Sequence, residues 1–150
     1  MVQQQNRMIP IWKITRIRLV TIAAMLFTVV LGLSCKYYNG PGQAFVNNWG
    51  PASICYEVLF VLLGLFIWPR RSAITSIAIG VCIATCLIEA SQLLDIPWLQ
   101  AARGTFLGRM LLGTSFSWWD FPAYPIGSWI GWAVARWIAG DADRVLAQRC

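Results

Sequence analysis

The sequence predicts an all-α membrane protein, with four transmembrane helices and an interfacial or re-entrant helix between the third and the fourth. Three observations carry that prediction. Of the 150 residues, 58% are hydrophobic and only 12% are charged, and the mean hydropathy is +0.60. A soluble domain devotes about a quarter of its residues to Asp, Glu, Lys and Arg, so this chain is too poor in charge to clothe a water-facing surface. The apolar residues gather into four runs, each close to the ~20 helical residues that cross a hydrocarbon core. Lys and Arg stand at the ends of those runs, and a single integral membrane domain over 1–150 accounts for the whole pattern.

The first run, 19–34, follows Arg16 and Arg18. It has the outline of a secretory leader ending at Leu31-Gly32-Leu33-Ser34-Cys35. A lipoprotein cleavage site wants a branched apolar residue three before the cysteine and a small one two before; Gly32 and Leu33 stand there instead, so the run reads as an uncleaved anchor. The second run, 52–68, opens at Gly50-Pro51, where a first-turn proline has no hydrogen bond to lose. The third, 73–94, has Ser72 as an N-cap and Pro97 just past its end. The fourth, 121–139, contains Pro122 and Pro125, so its outer end is expected to bend or to start late.

Segment 97–113 is different in kind. Trp98, Leu99, Phe106, Leu107, Met110 and Leu111 are interleaved with Arg103 and Arg109, and Gly104, Gly108 and Gly113 break the run. Such a segment suits the headgroup layer or a re-entrant position better than a fifth crossing.

Orientation follows from the cations. Arg7, Lys13, Arg16 and Arg18 precede the first run, Arg70 and Arg71 lie between the second and third, and Arg136, Arg144 and Arg149 follow the fourth. Four crossings put all of these on one side, with Lys36, Arg103 and Arg109 on the other. The positive-inside rule then places both termini in the cytoplasm and the chain, as a multi-pass protein, in the cell (inner) membrane. Trp49, Trp68, Trp98, Trp118, Trp119 and Trp137 fall near run ends, where indole favours the interface.

Composition also excludes whole classes. The net charge of +6 is scattered over helix ends rather than gathered into a phosphate-tracking stripe, which argues against nucleic acid as a partner. Histidine is absent, and with it His-ligated haem, HExxH zinc chemistry and any imidazole-based triad. Cys35, Cys55, Cys82, Cys86 and Cys150 form no CxxC pair, so neither metal nor cofactor is expected. Cys82 and Cys86 read as small buried hydrophobes. Cys35 and Cys55 both fall near the outer face, and sequence leaves their pairing open.

The candidate site is the ionisable set that lipid should not tolerate. A charge within a span costs about 2.5–3.5 kcal/mol even on insertion scales. Glu57 and Glu89 lie inside runs and Asp120 at the mouth of another, with Arg103 and Arg109 on the same side. The expectation is that these five converge, carboxylates facing arginines, with Glu89 and Arg103 energetically coupled. Gln92, three residues after Glu89, and Tyr124, four after Asp120, share their helix faces and complete the binding set. Glu57, two turns into its helix, is the member best able to reach outward to the interface. Gly127, Gly131 and Ala135 form a small-residue strip for close helix packing, with a second copy as one occupant. The competing reading is purely structural: an acid–Arg pair that fixes helix register.

Stretch 40–131 resembles an uncharacterised family of small bacterial multi-pass membrane proteins known as a domain of unknown function. The resemblance rests on Tyr38-Asn-Gly-Pro with Phe45-Val-Asn-Asn-Trp-Gly, on Ile88-Glu89-Ala-Ser-Gln92, on Arg103-Gly-Thr-Phe-Leu-Gly-Arg109 and on Phe116-Ser-Trp-Trp-Asp120-Phe-Pro-Ala-Tyr124. More distantly, the Glu-xx-Gln element, a following Arg and a helix-opening Asp look like the VanZ-like proteins, some linked to glycopeptide resistance at the envelope. The chain departs from that wider pattern at Tyr124, where Asn is usual, and in a longer segment between Gln92 and Asp120. The resemblance implies this topology and this choice of residues, and no settled activity.

Three functions are therefore expected in order. The first is binding of an anionic lipid or lipid-linked envelope precursor at an outer-leaflet Arg/carboxylate site, with membrane lipids as partners. The second is a small subunit or assembly factor of a larger membrane complex, or a homo-oligomer, joined through the small-residue strip. The third is a proton-coupled transporter or membrane enzyme using Glu57, Glu89 and Asp120 as acid–base groups. No nucleophile motif or phosphate loop supports an enzyme.

Overall fold

The computed structural model describes residues 11–43, 46, 50–94, 96–112 and 116–147, with Arg109, Met110, Leu146 and Ala147 described by backbone alone. Arg7, Trp49, Gly113, Arg149 and Cys150, which entered the sequence reading, lie outside the described residues, as does Phe45 of the resemblance motif. The fold is all-helical, and no strand occurs among the described residues. Its helices are α1 (Ile11–Lys36), α2 (Pro51–Ile67), α3 (Ile74–Ser91, led in by a 3-10 turn at Arg71–Ala73), α4 (Pro97–Gly104), α5 (Phe106–Leu112) and α6 (Asp120–Ala147).

Local chemistry sets the boundaries. Gly50 has φ +100°, a left-handed conformation that favours glycine, and Pro51 then opens α2. Pro97 likewise opens α4. The outer end of α6 does not start late: the helix begins at Asp120. Pro122 falls in its first turn, where amide hydrogens have no helical partner, so only Pro125 removes an internal bond. At the other end α6 continues to Ala147, past the apolar run, because Asp141 and Asp143 find partners there. α1 begins eight residues before its apolar run for the same reason, with Lys13 and Arg16 as the other halves of those pairs.

Two helices are long and apolar enough to cross a membrane: α1, and the stretch Arg71–Ser91 containing α3. α2 is apolar but only 17 residues long, and α6 carries five charged residues over its 28. Together they support association with a membrane. The exterior agrees. Leu19, Leu26, Phe27 and Val30 of α1, Ile79, Ile83 and Leu87 of α3, and Trp129 of α6 are all exposed, an arrangement that water disfavours and an apolar solvent accepts.

α2 is the central helix, packed against α1, α3 and α6, while α6 also touches α1 and α3. Val58, Val61, Leu62 and Leu65 of α2 meet Ile17 of α1, Ile74 and Ala78 of α3, and Ala135, Ile138, Ala139 and Ala142 of α6 in one core. The charged end of the bundle lies beside that core. Lys13 pairs with Asp143, Arg16 with Asp141 at 2.9 Å and Arg71 with Asp143 at 3.5 Å. Arg18 Nε donates to the Phe66 carbonyl at 3.3 Å with its guanidinium over the Phe66 ring. The start of α1, the end of α2, the approach to α3 and the end of α6 therefore share one end, and the four long helices alternate in direction.

The small-residue strip is used inside the chain, which corrects the expectation of a second copy there. A Cβ on Gly127 would stand 2.6 Å from Glu57 Cβ and 2.9 Å from the Ile54 carbonyl oxygen; one on Gly131 would stand 2.8 Å from Val61 Cβ. Ala135, the third member, is fully buried. α2 occupies the strip, so no face of it is left for lateral association.

Candidate buried carboxylate site

At the opposite end from the ion pairs, polar groups enter the bundle in three levels. The step between them comes from α6, where Asp120, Tyr124 and Ser128 are four residues apart and so lie on one face about 6 Å apart along the axis. At the mouth, Ser53 Oγ donates to Asp120 Oδ1 at 2.7 Å, joining the start of α2 to the start of α6. The acid also sits in the first turn of α6, where the helix dipole favours a negative charge.

One turn deeper lies Glu89, in the last turn of α3 and only 2% exposed. Its Oε1 accepts the Ser117 backbone N–H at 2.7 Å. Its Oε2 accepts the Tyr124 hydroxyl at 2.9 Å and Gln92 Nε2 at 3.3 Å. Gln92 Nε2 donates in addition to the Leu112 carbonyl at 2.8 Å, which ties α3 to the end of α5. Nearby, Tyr56 Oη donates to the Leu111 carbonyl at 3.1 Å, adding a tether from α2. Three donors on one carboxylate satisfy a charge that would otherwise be too costly to bury.

The third level is Glu57. Burial is complete, so the residue does not reach outward along its helix as the sequence suggests. Ser128 Oγ lies 2.6 Å from Glu57 Oε1 and 3.2 Å from the Ala78 carbonyl oxygen, while Glu57 Oε2 is buried with no hydrogen-bond partner. Gly127 makes this depth possible, because any side chain there would strike Glu57 itself.

The expected convergence of carboxylates on arginines does not occur among the described residues. Arg103, on α4, donates from a terminal nitrogen to Ser91 Oγ at 3.2 Å, and its Nε is buried without a hydrogen-bond partner. All three ion pairs of the described residues lie at the other end of the bundle. Three neutral donors already serve Glu89, so the buried carboxylate is satisfied without an arginine. The Arg109 side chain lies outside the described residues. Cys35, Cys55, Cys82 and Cys86 are free thiols.

Residues Glu57, Glu89, Gln92, Asp120 and Tyr124 thus line one interior face, with Arg103 one turn beyond Glu89 toward the end of α3. Ser53, Ser91, Ser117 and Ser128 complete the bonding and were not foreseen. Only Ser128 left a trace in the sequence, as the next four-residue step after Asp120 and Tyr124.

Residues 42–128 match the family described as a protein of unknown function (DUF2809). The chain belongs to that family. The DUF2809 match contains all three levels of the polar site together with Arg103, and stops just short of Gly131 and Ala135. No solved structure matches the chain.

Proposed function

We propose that this DUF2809 member is a four-span protein of the cell membrane that binds an anionic lipid headgroup, free or lipid-linked, at Arg103 on the outer side. The observation that carries this reading is the partner set of Arg103. Among the described side chains its guanidinium is met by the neutral Ser91 hydroxyl alone, while the adjacent acid, Glu89, is saturated by other donors. A cation so placed keeps its planar fork available for a phosphate or carboxylate. α4 and α5 offer a platform for the rest of a lipid, with Trp98, Phe106 and Leu107 each about two-thirds exposed or more.

The topology follows from the alternating helices. α2 spans about 26 Å at 1.5 Å per residue, close to the ~30 Å hydrocarbon core, and α6 supplies the fourth crossing through 121–139. The Lys13, Arg16, Arg71 end faces the cytoplasm with both termini, by the positive-inside rule. The distant likeness to VanZ-like proteins is in keeping with an envelope ligand. The carboxylates act as structural anchors of the site rather than as its ligands.

The test is extraction of the wild type and of Arg103→Ala and Arg103→Lys variants with native lipids, followed by mass spectrometry of the retained lipid. Anionic lipid retained by the wild type, reduced with Lys and lost with Ala, supports the reading. Competition with inorganic phosphate separates a phosphate site from one that needs the acyl chains. Identical lipid content in wild type and Arg103→Ala would sink it.

A further inference from the structure

The two buried glutamates differ in how many donors reach them. Glu89 faces only donors: the Ser117 N–H, the Tyr124 hydroxyl and the Gln92 amide. Glu57 receives one donor, the Ser128 hydroxyl, and its Oε2 receives none. Ser128 Oγ has a single hydrogen to share between Glu57 Oε1 at 2.6 Å and the Ala78 carbonyl at 3.2 Å. The single hydrogen of Thr85 Oγ1 has the Val81 and Cys82 carbonyls as acceptors, each at 3.0 Å, and Glu57 Oε2 is buried with no hydrogen-bond partner. An ionised Glu57 would therefore receive at most one hydrogen bond and confront lone pairs elsewhere.

We infer that Glu57 is a proton-binding site of the bundle: it holds a proton at neutral pH and donates it to a facing hydroxyl. With a proton on Glu57 every contact becomes a donor–acceptor match. The acid donates to Ser128 Oγ and Ser128 donates to the Ala78 carbonyl. This arrangement places a hydrogen in each of the two short oxygen–oxygen gaps around Ser128 Oγ. A metal cation does not fit as the alternative occupant, because two oxygens held at about 2.4 Å from one ion and about 90° apart stand well over 3 Å from each other, not 2.6 Å.

Among the described residues no cation pairs with Glu57. The titratable groups that interact with Glu57 are Tyr56 on α2, Cys86 on α3 and Tyr124 on α6, none of them a cation. The cations of α1, the remaining helix packed on α2, are engaged at the charged end with Asp143, Asp141 and the Phe66 carbonyl, or stand exposed at Lys36. Protonation is the remaining way to keep an acid at this depth. The inference stands on this bonding alone and is independent of lipid binding at Arg103.

Infrared spectroscopy of the purified full chain in detergent at neutral pH tests it. The wild type should show a protonated-carboxyl C=O band that Glu57→Gln removes and Glu89→Gln leaves in place. Gln at 57 keeps the fold, since its amide donates where the acid did; should that variant not fold, Glu57→Asp must shift the band. A wild type without the band, a band that survives Glu57→Gln, or one that Glu57→Asp leaves unmoved would overturn the inference, and the first outcome would assign Oε2 to a bound water instead.

Discussion

Tyr124 donates its phenolic hydroxyl to Glu89 Oε2 at 2.9 Å, across the interface between α6 and α3, with both residues buried. The bond connects the middle of the polar ladder on α6 to the last turn of α3, and Ser117 and Gln92 close around the same carboxylate.

Removing the phenol should cost stability without disrupting packing. Tyr124→Phe is expected to lose about 1–2 kcal/mol, the range for interhelical bonds and for bonds to charged groups. Combined with Glu89→Gln, the loss should be smaller than the sum of the single losses, since both changes break one bond. Reversible denaturation in mixed micelles measures all three; strictly additive losses would mean that the two side chains do not meet. Glu89→Ala with Arg103→Ala, which share no bond here, should come closer to additivity.

Two glycines of α6 should respond in opposite ways to the same substitution. Gly127→Ala forces a methyl against Glu57 Cβ and the Ile54 carbonyl and should destabilise by about 1–3 kcal/mol. Gly140→Ala meets nothing within 4 Å and should be neutral or stabilising by up to about 1 kcal/mol, as expected for an open helical position. Thermal unfolding in one detergent compares them directly, and equal effects would remove Gly127 from the contact with α2.

Asp143 is the shared partner of Lys13 and Arg71. Asp143→Asn should lower the unfolding temperature by a few degrees at low ionic strength, with the difference shrinking in high salt because the pairs are partly exposed and screened. A salt-independent loss would point to packing rather than charge as the role of this end.

The proposed orientation makes the two ends chemically distinguishable in intact cells. In a chain whose only thiol is Cys35, at the outer end of α1, a membrane-impermeant thiol reagent should label without permeabilisation. In a cysteine-free chain carrying Arg144→Cys, labelling should require permeabilisation. The reverse pattern would invert the topology and move Arg103 to the inner leaflet.

Much of the helix layout is legible locally, because an apolar run bounded by Arg, Gly or Pro has few alternatives. Gly50-Pro51 and Pro97 mark helix starts from stereochemistry alone. The apolar run marks the start of α6 to within a residue but not its end. A proline in a first turn costs nothing, and Asp141 and Asp143 prolong the helix only because Arg16, Lys13 and Arg71 come near them in space. In the site, Glu89 with Gln92 and Asp120 with Tyr124 are readable from helical spacing. Ser128 continues that spacing, whereas Ser53 is not readable, since a lone serine in an apolar run has no local mark of the acid it faces.

Sequence alone determined that the chain is helical, that its surface is apolar and that a few ionised groups must be accommodated within it, because composition and run length leave no other solution. Tertiary packing decided which groups meet. It gave Glu89 three donors and Glu57 only one, placed α2 in the glycine strip, and left Arg103 beside a neutral hydroxyl. Those outcomes depend on helix rotation and depth, and neighbours in sequence do not encode either.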